Sequence, residues 1–260
     1  MNKSSFLSLL TISFLILATS PIFAVTHTIP WGKLNIDGKP DDNIDDRAAK
    51  FDLSLVCIGG TIKDDYFSTY LAYDENNFYF ACRAKDNSVS CKDEVSRDFK
   101  DSDYIRFYID VKGDFKDRTT LNGKGDWALI FTPQNTKGKW KPMVKECPYN
   151  GPGHGGIQGD DVTPKRASGA IAGGWYVEAA IPFSLFERDL KKLEKATMGI
   201  YFIGGDTDKG GVRTGEVRLP ADGAGNYWNS PAYWQPAKLG PFSVTPLEKE
   251  AIFWGEIKKF

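Results

Sequence analysis

The 260-residue sequence has only two histidines, His27 and His154. It has no H-E-x-x-H run and no G-x-S-x-G elbow, so the zinc-peptidase and serine-hydrolase signatures are missing. An excess of one charge is also missing. Lys and Arg total 33 against 34 Asp and Glu, with both signs mixed along the chain, so nothing makes a basic face for nucleic acid. Long apolar runs are confined to the N-terminus, where Phe6–Ala18 is short for a membrane span and no second run follows. There is no internal repeat, no low-complexity tract and no interior linker between two cores.

That N-terminal run is the first positive signal. One Lys precedes it and Pro21-Ile-Phe-Ala24 follows, which reads as a secretory signal peptide over residues 1–24 cleaved after Ala24. The expectation is a secreted, periplasmic or cell-surface protein. No Cys sits at the cleavage site, so a lipoprotein anchor is not expected. In an exported chain the four cysteines, Cys57, Cys82, Cys91 and Cys147, favour disulfides. Three pairings are possible. Cys82–Cys91 with Cys57–Cys147 is preferred, because the first closes a short loop off one strand. The zinc alternative has neither the spacing nor the histidines.

The strongest structural signal is Thr69–Asp110. Tyr66–Tyr73 and Phe78–Lys85 are rich in aromatic and small apolar residues, and Asp74-Glu-Asn-Asn77 between them supplies turn formers. This predicts a β-hairpin with a four-residue loop. In Asp103–Asp110, Ile105, Phe107 and Ile109 alternate with Tyr104, Arg106, Tyr108 and Asp110, so one strand face enters a core and the other is open to solvent or a ligand. Further strands are expected over Leu34–Asp42, Phe51–Ile58, Asp126–Thr132, Ala170–Ile181, Thr197–Gly205, Glu216–Leu219 and Lys238–Val244. Ser184-Leu-Phe-Glu187 matches a capping box and predicts a helix of two to three turns to about Lys195, the one helix expected inside the domain. Thr245–Phe260 is a candidate terminal helix. Pro133–Pro164 is long, rich in Gly, Pro and Lys, and aperiodic, which marks a functional loop or an insertion. Many strands with one short helix argue for an all-β fold: an antiparallel two-sheet β-sandwich, jelly-roll or immunoglobulin-like, over residues 25–245, with a tail at 246–260.

Five pieces, in order, resemble the family 9 carbohydrate-binding modules. They are Ile36-Asp-Gly-Lys-Pro-Asp-Asp42, Leu71–Phe80 with Lys85-Asp86, Asp103…Phe107-Tyr-Ile-Asp110, Gly173–Ile181 and Trp234-Gln-Pro-Ala-Lys-Leu-Gly240. The resemblance implies a two-sheet sandwich related to DOMON domains, some of which bind haem. It implies sugar binding between two aromatic rings, often at a reducing chain end, structural calcium, and the company of xylanases and similar enzymes. The chain departs from the pattern at Ile44, where a Trp is usual. It also carries Arg106 where an acidic residue is expected, and lacks a basic residue near Ile130. A haem would need axial ligands, and past residue 24 the only methionines are Met143 and Met198, the latter in a core strand.

The loop Asn226–Pro236 packs four aromatics among turn formers. Flat rings can stack on the C–H face of a pyranose while nearby polar groups bond its hydroxyls; they can equally cover the end of a sandwich. With the resemblance, the expected carbohydrate contacts are Trp234, Trp228, Phe99 and Arg106. Asp37, Asp41, Asp74 and Asp206 lie in Asp-rich turns that could supply carboxylates and carbonyls to structural calcium, or be solvated turns. His154 in a glycine-rich loop reads as surface. No carboxylate pair sits where a glycosidase would need one. The expected function is a secreted, non-catalytic carbohydrate-binding protein. Its partner would be a polysaccharide or oligosaccharide, with a separate glycoside hydrolase as the second candidate. The alternatives are an interaction domain that has lost sugar binding, and an enzyme built on the Pro133–Pro164 insertion.

Overall fold

A computed structural model describes residues 25–58, 66–91, 102–120, 125–133, 145–146, 156–157, 165–186, 188–208, 213–219 and 230–241. Residues 1–24, Phe99, Cys147, His154, Trp228 and the 246–260 tail lie outside these.

The strands in chain order are β1 (His27–Ile29), β2 (Ala49–Leu53), β3 (Leu55–Ile58), β4 (Tyr66–Tyr73), β5 (Asn77–Lys85), β6 (Tyr104–Asp110) and β7 (Asp126–Phe131). They continue with β8 (Lys145–Glu146), β9 (Gly156–Ile157), β10 (Lys165–Ile171), β11 (Gly174–Pro182), β12 (Met198–Asp206), β13 (Gly215–Arg218) and β14 (Gln235–Leu239). The β4–β5 hairpin forms as the turn chemistry predicts. The Asp74 carboxylate accepts from the N–H of Asn76 and Asn77 at 2.8 and 2.9 Å, which closes the loop and sets Tyr73 opposite Phe78.

Two sheets result. The smaller has five strands in the order β10-β11-β5-β4-β2, and the larger has nine, running β1-β14-β12-β6-β7-β8-β9 with β13 and β3 branching from β12. Neighbours are antiparallel except β1 and β14, which are parallel. The inner faces meet in a phenylalanine stack: the Phe80 ring is 4.8 Å from Phe131 and 5.8 Å from Phe107, and Phe107 is 5.1 Å from Phe202. The two-sheet sandwich is therefore as the alternating pattern predicts.

Three expectations need correction. Leu34–Asp42 is a turn-rich lead rather than a strand, and it folds over the outside of the smaller sheet. There Leu34, Ile44 and Ala48 bury Tyr70, Tyr79 and Tyr176, and Ile44 sits in a one-turn helix, α1 (Ile44–Arg47), that the hydrophobic pattern did not signal. The expected capping-box helix is a short 3-10 turn, Phe183–Phe186, because Phe183, Leu185 and Phe186 are all drawn into the core and leave no polar helix face. Helix α2 (Leu190–Leu193) starts afterwards, with the Asp189 side chain accepting from the Lys192 N–H at 3.0 Å. Neither expected disulfide forms, since Cys57 and Cys82 are both unbridged. Cys82 points into the core from the middle of β5, and burial pushes its thiol far up.

Candidate functional site

The outer face of the smaller sheet is closed by its own lead segment; the outer face of the larger sheet carries Arg106, Glu216 and Arg218 among buried tyrosines. Strand register defines that face. Arg106 on β6 pairs with Ile130 on β7 and with Ile203 on β12, and Ile203 pairs in turn with Arg218 on β13. One row along, Tyr104 faces Gly205, and Gly205 faces Glu216. A side chain at residue 205 would collide with the Tyr104 ring, its Cβ standing only 2.1 Å from a ring carbon. Glycine there lets Tyr104 lie across β12, and its hydroxyl donates to Glu216 Oε2 at 3.1 Å.

Glu216 is the hub of this corner. Its Oε1 accepts from Arg218 Nε at 2.8 Å and from Arg218 Nη2 at 2.5 Å, and its Oε2 takes Arg213 Nη1. The same Arg213 nitrogen also donates to the Tyr104 hydroxyl at 3.0 Å. Burial, followed by the Glu216 charge, pushes the Tyr104 phenol up to about 12, so it remains a neutral donor. In the next row Tyr108 lies between the Arg106 guanidinium, 5.2 Å from its ring centre, and the Trp234 ring at 5.6 Å, with Tyr201 at 6.2 Å. Trp234 is only 2% exposed. The ring expected to stack on a sugar is therefore packed against Tyr108. At the far end of the face Arg118 reaches Asp126 through two nitrogens, one at 2.7 Å, and Asp110 at 3.3 Å.

A second cluster lies where the two sheets meet. Asp86 follows β5, Asp103 precedes β6 and Asp206 ends β12, and each places a carboxylate oxygen within 4.8 Å of the others. All three are buried. Asp103 accepts from the N–H of Thr207 at 2.8 Å and from that of Ser90, and Asp86 accepts from the Ser88 N–H at 2.6 Å. Asp206 Oδ2 accepts from the Thr214 hydroxyl at 2.7 Å, while its Oδ1 is buried without a hydrogen-bond donor among the described residues. Burial and the neighbouring Asp86 charge push the Asp103 carboxyl up to about 9, and burial with the charges of Asp208 and Asp86 raises that of Asp206. An all-oxygen donor set with uncompensated negative charge and an orphaned carboxylate oxygen fits a hard divalent cation such as calcium.

The other expected metal positions are occupied differently. Asp37 folds its own turn, accepting from the Lys39 N–H at 3.0 Å. Asp41 accepts from the backbone and side-chain nitrogens of Asn35, both at 3.0 Å. Asp74 closes the β4–β5 loop. Of the four, only Asp206 joins the carboxylate cluster. Asp86 and Asp103 do not stand out in the sequence, because each reads as an ordinary turn acid at a strand end. Only the register of β6 against β12 brings Asp103 to Asp206.

Residues 36–240 match the family model described as "Carbohydrate family 9 binding domain-like". The chain belongs to that family. Two solved structures share its fold, both of a family 9 carbohydrate-binding module from Caldicellulosiruptor kristjanssonii. The one in complex with cellotriose aligns with a TM-score of 0.63 at 18% identity, over 85% of this chain and 98% of that one. The one in complex with glucose aligns with a TM-score of 0.58 at 18% identity over the same shares. No curated protein matches the chain. Within this family 9 domain the departures from the expected pattern have definite places. Ile44 is buried in the lead, while Arg106 and Ile130 face each other across β6 and β7.

Proposed function

We propose that this family 9 domain is a non-catalytic carbohydrate-binding protein, exported through its N-terminal leader, that holds a glycan on the outer face of its larger sheet. The observation that carries the reading is the rim at Arg106, Arg213 and Arg218, where partly accessible planar donors gather around the Glu216 carboxylate above a buried tyrosine layer. Such groups bond sugar hydroxyls, and aromatic rings supply the apolar contact that a pyranose needs. Family membership and the sugar-bound relatives support it. Arg106 is the expected contact that sits on this face with part of its side chain accessible. Trp228 and Phe99, outside the described residues, are proposed as the stacking rings, and Trp234 as the support behind Tyr108. Asp86, Asp103 and Asp206 are proposed to hold a calcium ion that ties β5 to β6 and β12. A separate glycoside hydrolase is a proposed companion.

Calorimetric titration of the protein with cellotriose and a panel of soluble oligosaccharides tests this reading. Binding that Arg106→Ala weakens, at unchanged melting temperature, is the expected result. A folded protein that binds no sugar in the panel would overturn it. The second reading, an interaction domain without sugar binding, would then stand. The burial of Trp234 is the observation that favours that alternative.

A further inference from the structure

Charge on the outer face is unevenly distributed. At the far end one guanidinium, Arg118, serves three carboxylates, Asp110, Asp114 and Asp126. Around Glu216 the ratio reverses, with Arg213 and Arg218 both directed at that one carboxylate. Arg106 joins them from across Ile203, its Cα about 10 Å from that of Arg218 at the usual strand spacing. Among the described residues two guanidiniums, those of Arg213 and Arg218, are paired with the one Glu216 carboxylate.

The two Glu216 partners also have donors to spare. Arg218 uses Nε and Nη2, and Arg213 uses Nη1 alone. Arg218 Nη1, Arg213 Nη2 and Arg213 Nε make no further hydrogen bond among the described residues. The side chains are 25% exposed for Arg213 and 15% for Arg218, so these nitrogens sit at the rim rather than in the core. Glu216 holds Arg218 through two nitrogens, which fixes its plane, and Arg213 through one. A partly desolvated pair of guanidiniums on one carboxylate keeps a net positive charge, which suits a second, planar carboxylate in bidentate contact and suits a hydroxyl much less.

We infer that the glycan bound on this face carries a carboxylate, as a hexuronic acid residue does, and that Arg213 and Arg218 receive it beside Arg106. This rests on the sugar-binding reading above and names the class of sugar. The carboxylate would bridge the spare nitrogens of Arg213 and Arg218. The ring hydroxyls would then face Arg106, which is partly accessible. No covalent step is involved.

The test titrates the full chain with trigalacturonic acid, with cellotriose and with a sulfated oligosaccharide of similar length, at low and at high salt. The acidic trisaccharide is expected to bind at least about tenfold more tightly than the neutral one, since charge-assisted hydrogen bonds are the stronger kind. Salt should shrink that preference. Arg213→Gln should cut the ratio of the two affinities by about tenfold, and Arg213→Lys should keep more of it. Thermal unfolding of each variant identifies any that fails to fold, and the wild-type comparison stands without them. Equal or tighter binding of cellotriose overturns the inference but leaves the sugar-binding reading intact. Tighter binding of the sulfated probe overturns the carboxylate assignment. Binding of none of the three by folded protein overturns both readings.

Discussion

One oxygen of the Glu178 carboxylate accepts hydrogen bonds from the backbone N–H of Gly38 and of its neighbour Asp37, each at 2.6 Å. Glu178 is buried on the outer side of β11, so this contact fastens the N-terminal lead to the smaller sheet. Gly38 has a φ of 85°, and a Cβ there would stand 2.7 Å from the Ser168 carbonyl oxygen. Backbone meets backbone at this point, and the carboxylate takes the two N–H groups that would otherwise be stranded. Replacing Glu178 with Leu should cost roughly 3 kcal/mol in urea unfolding, because one buried and one part-buried donor lose a charged acceptor. Glu178→Gln should cost less, since its amide oxygen still accepts. Equal losses for the two variants would show that something other than these bonds is responsible.

The carboxylate cluster predicts a response to calcium. Added calcium should raise the melting temperature and a chelator should lower it. Saturation at a hundred times the dissociation constant corresponds to about 2.7 kcal/mol. Asp103→Asn should remove most of that response. A melting temperature indifferent to both calcium and chelator would mean that these three carboxylates hold no such ion.

The ring of Trp234 predicts a loss of stability. Truncating a buried Trp to Ala costs about 3–5 kcal/mol, and its contact with Tyr108 places it in that range. Trp234→Phe should lose less, because a ring still reaches Tyr108. If Trp234→Ala leaves denaturant unfolding unchanged and abolishes retention on a glycan, the ring contacts ligand after all.

Asp110 predicts a pH effect. Burial pushes its carboxyl up to about 6, only partly offset by the Lys112 N–H at 2.8 Å, and the nearby Asp126 charge adds to the rise. The folded protein therefore holds this proton more tightly than the unfolded chain does. The stabilisation is complete below the ordinary carboxylate value and disappears as pH rises through about 6. Asp110→Asn should give a flatter melting temperature than wild type between about pH 4 and 7. Parallel curves for the two proteins would rule out this assignment.

Much of the scaffold is legible in local patterns. The Asp74 turn, the alternation in Tyr104–Asp110 and the apolar run of β12 each specify a strand by neighbours in sequence. What was not legible depends on distant partners. Leu34–Asp42 alternates as a strand would, yet Glu178 bonds its N–H groups and the smaller sheet covers its apolar residues, so it needs no strand neighbour. Ser184-Leu-Phe-Glu187 carries a helix-start signal, but three buried apolar side chains in four residues overrule it. Cys82 reads as half of a disulfide by spacing, while its alternating position on β5 turns it inward. The site follows the same rule. Arg106 is visible as an outward residue of β6, and Asp206 as an acid at a strand end. Their partners Glu216, Arg218, Asp86 and Asp103 are assembled only by register and by the meeting of the sheets.

The parallel pairing of β1 with β14 has a mechanical consequence. His27 lies beside Ala237 and Ile29 beside Leu239, with the Gly240 N–H donating to the Ile29 carbonyl at 2.8 Å. The chain enters this pair at one end and leaves it at the other. Tension applied between the start of β1 and the end of β14 would load the rungs of the pair together in shear. They would not open one at a time like a zip, so the pair resists separation of its two ends far better than peeling from one side.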